Sequence, residues 1–216
     1  GSHDQTRQSE PVEPVRMNPI GINLAVEDDL SEAVLRRLVE ESKRPYSVGV
    51  VWGRRGNGYL RETIRGWNQA AKGGPIAVLT DLDRWECPMA LKQAWFRHPL
   101  HPNLIFRVAV REVEAWLLAD REAFAQFFRV SPDVIPRQVE LLADPKRSLI
   151  EVAKRSPRAI RERVVPRRGS TALQGPDYNG CLSEFVRGKW NLDRAAAAAP
   201  SLAKAMARLS TFEPAR

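Results

Sequence analysis

The chain has 216 residues, 43% of them hydrophobic and 28% charged, which is enough apolar material for one sizeable core and excludes a wholly disordered chain. A net charge of +8 and a pI of about 10.0 favour polyanionic partners over acidic proteins. No apolar run approaches the roughly 20 residues of a membrane helix. No signal peptide is visible, and two cysteines, Cys87 and Cys181, build no disulfide framework. A cytoplasmic protein without membrane partners is therefore expected.

Residues 1–18 read as a tag remnant and a flexible, proline-bearing arm. The run IGINLAV (20–26) predicts a strand that ends in Glu27, Asp28 and Asp29. A helix follows, with Leu30, Val34, Leu35, Leu38 and Val39 on one face. Asp29 with Glu32 three residues later predicts a capping box, which leaves Glu27 as the acid with no structural duty. YSVGVVW (46–52) predicts a second strand, running into a glycine-rich turn (53–58) and a helix over 60–71. The turn matches neither a Walker loop nor a dinucleotide fingerprint. Besides a plain tight turn, it reads as a phosphate cradle with Arg54 and Arg55 as nucleic-acid contacts.

IAVLTDLD (76–83) is the stretch around which the rest is organised. A short apolar run with few charges predicts a strand covered on both faces. Alternation along it puts Asp81 and Asp83 on one side, at the strand end where α/β sheets collect ligands. Like charges there favour a hard divalent cation, Mg2+ or Mn2+, one or two ions. The plain alternative has Asp81 ending the strand and Asp83 capping the next helix, over 88–96. Cys87, His98 and His101 lack a fourth ligand and a zinc-type spacing.

LIFRVAVREVE (104–114) predicts the next strand, with Glu112 and Glu114 sharing a face at its end. Three strands would then deliver carboxylates to one rim, a convergence that costs several kcal/mol without a cation. Further on, Asp120 is the expected cap of a helix carrying Phe124, Phe127 and Phe128 as core residues, and a short helix is expected over 131–142. The segment 146–168 carries nine basic residues against Glu151 and Glu162, seven of the eight net positive charges. Of these, Arg147, Lys154, Arg155, Arg158, Arg161, Arg163, Arg167 and Arg168 are the expected contacts to a nucleic-acid backbone, DNA ahead of RNA. Helices are expected over 182–189 and 201–209, with the alanine run 195–199 ended by Pro200.

This order predicts an α/β fold, a mostly parallel sheet with helices on both faces. The expected core spans 19–130, and a basic helical C-terminal region, 131–216, packs on it.

Glu27 after the first strand and Asp81-Leu82-Asp83 after the third resemble the Toprim domain, the metal-binding, Rossmann-like fold of topoisomerases, bacterial primases and nucleases of the overcoming-lysogenisation-defect type. More closely, VE (26–27), TDLD (80–83), REVEAWLLAD (111–120), DPK (144–146) and GPDY (175–178) through Trp190 and Ser201 resemble a bacterial Toprim-like family of unassigned function, over residues 20–212. The resemblance implies a metal-dependent nuclease. Glu27 would be general acid/base or ligand, Asp81 and Asp83 magnesium ligands, Glu114 and Glu112 later acidic ligands, and Lys146 a catalytic cation on the phosphate. It also implies an ATPase partner in a mobile-element or phage-defence system. Two departures stand out: Asp28 replaces the usual glycine, and Ser31 the second glutamate, with Glu32 displaced by one. They keep open a non-catalytic nucleic-acid-binding or regulatory subunit with a degenerate site.

Overall fold

Four short runs rich in Val, Ile and Leu form the strands of one sheet, each ended by glycine, acid or a turn. The computed structural model describes residues 18–53 and 57–215; the arm before residue 18 and the two arginines at 54 and 55 lie outside the described residues. The strands are β1 (Ile20–Val26), β2 (Tyr46–Gly53), β3 (Ile76–Asp81) and β4 (Leu104–Ala109). They pair in the order β2-β1-β3-β4, all parallel, through helices α1 (Asp29–Glu40), α2 (Asn57–Ala70) and α3 (Pro88–Trp95).

Side-chain alternation divides the apolar residues between two cores. On one face Ile22, Leu24, Val26, Leu79 and Ile105 cluster with Leu30, Val34 and Leu38 of α1. On the other, Ile76, Val78, Phe106 and Val108 cluster with Leu60, Ile64 and Trp67 of α2 and Leu91 and Trp95 of α3. Because the chain leaves β1 in one direction for β2 and then crosses to β3 on the other side, the sheet has its switch point between β1 and β3. In such sheets the crevice beyond the strand ends at that point is where ligands bind.

The C-terminal helices are α4 (Val113–Ala119), α5 (Arg121–Phe128), α6 (Pro145–Ala153), α7 (Arg158–Val164), α8 (Tyr178–Gly188), α9 (Leu192–Ala198) and α10 (Pro200–Ser210). Their buried residues, among them Trp116, Phe124, Phe185 and Leu209, belong to the same cluster as the α1 face, so the two expected regions share one core. Phe124 stacks on Phe128 at 4.2 Å and meets Phe185 edge-on at 5.5 Å, which makes these aromatics core residues. Among the described residues no helix is long and apolar enough to cross a membrane.

Several expected elements differ. The third and fourth strands stop at Asp81 and Ala109, so Asp83, Glu112 and Glu114 are not strand residues. Backbone pairing does continue past the strand ends, with the N–H of Leu82 donating to Ala109 and that of Asp83 to Arg111. The expected helix over 131–142 is two short 3-10 turns, Pro132–Val134 and Val139–Leu141, because Pro136 falls between them. Pro200 ends one helix and also opens the next at a first-turn position, where its missing N–H costs nothing.

Candidate metal and phosphate site

Glu27 follows β1 at the switch point. Its Oε1 accepts from the hydroxyl of Thr80 and, at 2.9 Å, from the backbone N–H of Asp81. The end of β3 therefore grips the carboxylate that follows β1. Burial pushes the Glu27 carboxyl up to about 7; its two hydrogen bonds oppose that, and the charges of Asp83 and Asp28 add to it. Asp81 points its Oδ1 at the backbone N–H of Val113, the first residue of α4, at 2.9 Å. Burial raises its pKa well above the usual carboxylate range, and the charges of Glu27, Glu114, Asp83 and Glu112 raise it further.

Asp83 reaches this neighbourhood by a different route from the expected one. It sits in a turn with φ of 49°, a left-handed conformation that aspartate tolerates better than most residues. Arg111 fixes the turn, donating from one guanidinium nitrogen to the carbonyls of Asp83 (3.1 Å) and Trp85 (2.8 Å).

Glu112 and Glu114 are helix-start residues. Glu112 is the N-cap of α4, and its Oε2 accepts the backbone N–H of Lys146 at 2.8 Å, at the start of α6. Burial and the neighbouring Glu114 push it up to about 7, against the opposing pull of Lys146. Glu114 is 2% exposed. Its Oε1 accepts the Tyr178 hydroxyl at 2.9 Å and lies 3.5 Å from the Lys146 Nζ. The Lys146 ammonium also stands 5.7 Å from the centre of the Tyr178 ring. Burial would lower the Lys146 pKa, but Glu114, Glu112, Asp28 and Asp81 outweigh it and hold the group charged.

These contacts follow one pattern. Glu27, Asp81, Glu112 and Glu114 each anchor a single oxygen, and the other makes no hydrogen bond among the described residues. For Glu114 that second oxygen, Oε2, is buried as well, an arrangement that costs about 1–3 kcal/mol unless a partner arrives. An all-oxygen, all-anionic donor set fits Mg2+ or Mn2+. Among the described residues no three His, Cys, Asp or Glu stand close enough to form a ready-made cage. A magnesium ion that keeps several waters and takes one or two carboxylates does not require one.

The basic residues divide. Arg163 is committed to structure: it pairs with Asp177 at 2.6 Å and with both oxygens of Glu184 at 3.0 and 2.7 Å, which removes it from the expected phosphate contacts. Lys154 pairs with Glu151 and Arg158 with Glu162, exposed pairs of the kind that contribute little. Arg147, Arg155, Arg161, Arg167 and Arg168 are exposed and make no ion pair among the described residues. Two clefts meet at Glu112 and Asp144: one of about 580 Å3, along Asp83, Trp85 and Arg111, and one of about 950 Å3, along α6.

No known protein family, curated protein or solved structure matches this chain.

Some residues of the site carried weak sequence signals. Asp28, not Asp29, caps α1, accepting the N–H of Ser31 at 2.8 Å. Asp144 caps α6 ahead of Pro145, and that acid-proline start is legible as a cap signature. Thr80 looked like one more strand residue. Tyr178 closes the GPDY run, but nothing local ties it to its partner Glu114, 64 positions away.

Proposed function

We propose that the chain is a Toprim-type nuclease that hydrolyses phosphodiester bonds of DNA or RNA with Mg2+ or Mn2+. The observation that carries this reading is the set of four carboxylates, each held by one oxygen and leaving the other, beyond the strand ends of a parallel sheet: Glu27 and Asp81 at its switch point, Glu112 and Glu114 at the start of the helix after β4. When bound, the cation supplies charge neutralisation at the phosphate and a water of lowered pKa.

The chain's own groups do the rest. Glu27, pushed up to about 7, can take and return a proton near neutral pH. Asp81 is oriented by the N–H of Val113 and Glu112 by that of Lys146, so neither carboxylate must be reorganised on binding. Lys146, kept charged by its neighbours, is the cation for the phosphate oxygens at the mouth of the larger cleft. The exposed arginines of 147–168 hold the backbone without reading sequence, so binding should weaken steeply with salt. An ATPase partner, a phage-defence setting and a cytoplasmic location belong to the same proposal; the first two rest on the resemblance alone, the third on two unpaired cysteines.

Plasmid nicking with Mn2+ tests the reading, comparing wild type with Asp81→Ala and Glu27→Ala. Nicking by the wild type that both variants lose supports it, and equal activity in all three removes it.

A second reading has one observation in its favour. Lys146 already serves as counter-ion to Glu114 at 3.5 Å, and Asp28 and Ser31 are tied up in capping α1. A degenerate site built around that ammonium suits a nucleic-acid-binding or regulatory subunit. Calorimetry with no heat of binding for millimolar Mg2+ or Mn2+ would favour it.

A further inference from the structure

The cleft of about 950 Å3 beside Lys146 has a composition that charge alone does not explain. Its apolar lining is Ile150, Val165, Pro166 and Leu173, the last of them 85% exposed on one wall. Arg147 on α6 and Arg168 on the opposite loop stand at its edges, both exposed and unpaired among the described residues. Past Val165 and Pro166 the surface continues into a further cleft of about 540 Å3 with Arg161 and Arg167. The acids on the same cleft are engaged, Glu151 by Lys154 and Asp144 in capping α6, so Arg147 and Arg168 flank an apolar trough that begins at Glu112 and Lys146 of the acidic centre.

The wall carrying Leu173 is held in place. The loop over 165–174 leaves α7 and is closed at its neck by Gly175 N–H to Val164 (2.9 Å) and Asp177 N–H to Arg163 (3.0 Å). Glycine is required at that neck, since a Cβ at Gly175 would lie 2.3 Å from the Arg163 carbonyl oxygen. A pinned loop presenting an exposed leucine over a basic-edged cleft is a positioned surface, and what it offers is apolar contact.

A duplex keeps its base faces stacked on one another and offers such a surface only groove edges and sugars. An unpaired strand carries base faces that pack on apolar side chains and on arginine planes while its phosphates meet the cations. We infer that this cleft is a base-binding subsite for single-stranded nucleic acid, so that the strand entering the acidic centre is unpaired. The inference rests on the proposed nuclease reading for its direction, but it concerns binding and not cleavage.

The test is fluorescence anisotropy in EDTA with labelled ten-nucleotide probes: single-stranded DNA, the same sequence in RNA, its DNA duplex, and an abasic strand of equal charge. The single strands are expected to bind about fivefold more tightly than duplex or abasic strand, the low end of the base-stacking scale, because the cleft offers a leucine and arginine planes and, among the described residues, no aromatic ring. Leu173→Ser should erase most of that preference without weakening the abasic strand, and exposed as it is, it should leave the fold intact. Arg147→Ala should weaken all probes alike. Equal binding of base-bearing and abasic strands, or a Leu173→Ser variant that keeps the preference, would overturn the subsite. Nicking intact with no base preference would sink only this inference, and base preference without nicking would sink only the nuclease.

Discussion

The backbone N–H of Asp81 donates to the Glu27 carboxylate at 2.9 Å, so the last residue of β3 holds the first acid after β1 across the switch point. An amide at residue 27 can accept the same two hydrogen bonds while carrying no charge. Glu27→Gln should therefore fold normally and melt higher in EDTA at pH 8, by about 2–4 °C for each kcal/mol of repulsion relieved. It should also lose most of the Tm gain that Mn2+ gives the wild type. Paired melts with and without Mn2+ check both, and an unchanged Mn2+ response would remove Glu27 from the cation's surroundings.

The same raised carboxyls set a pH dependence. Glu27 and Glu112, each pushed up to about 7 from an ordinary 4.5, hold protons in the folded chain that the unfolded chain has released between those values. The native state binds more protons in that window, so their contribution is complete below about 4.5 and lost as pH rises through about 7. In EDTA the wild type should lose Tm from pH 5 to pH 8 relative to a Glu27→Gln/Glu112→Gln double variant. Mn2+ should restore it at pH 8 and do little at pH 5, because protonated carboxyls are poor ligands. A wild type that gains Tm over the double variant as pH rises in EDTA would contradict the assignment.

Which parts of the site were legible follows from whether their signals are local. The strand runs and the amphipathic stripe of α1 are local patterns, and sheet, crossover helices and the position of Glu27 came directly from them. The ends of β3 and β4 did not, because a strand end is decided by where a partner stops and the sequence of β4 does not name its partner. Reading 104–114 as one strand put Glu112 and Glu114 on a common face by a period of two. They come close instead through the first turn of α4, which brings Glu114 inward to Tyr178. Arg163 failed for a related reason: a charge run says nothing about which arginine meets a carboxylate from another helix.

Lys146 and Glu114 form an unequal pair, with the glutamate side chain 2% exposed and the lysine 34%. Removing the lysine strands a buried charge, whereas removing both removes the problem. Lys146→Met should lower stability at pH 7.5 by about 1–3 kcal/mol, less than a fully buried pair because the ammonium is partly screened. Adding Glu114→Gln should return part of that loss. Urea midpoints of the two single variants and the double close the cycle, and strict additivity would mean the two groups do not interact.

Arg163 and Gly175 together hold the neck of the 165–174 loop, the guanidinium through Asp177 and Glu184 and the glycine through its close approach to the Arg163 carbonyl. A methyl group at 175 cannot be placed without moving that backbone, so Gly175→Ala should open the neck while the sheet, which contributes no atom to it, stays folded. Arg163→Lys keeps a charge but loses the fork that engages two carboxylates at once. Limited trypsin digestion reads this directly, because Arg167 and Arg168 lie exposed on the loop. Cutting there should speed up about fivefold in Gly175→Ala, the equivalent of roughly 1 kcal/mol of local opening, and by less in Arg163→Lys. If neither variant is cut faster at these arginines, the neck does not position the loop, and the leucine it carries loses its claim to be a preformed wall of the cleft.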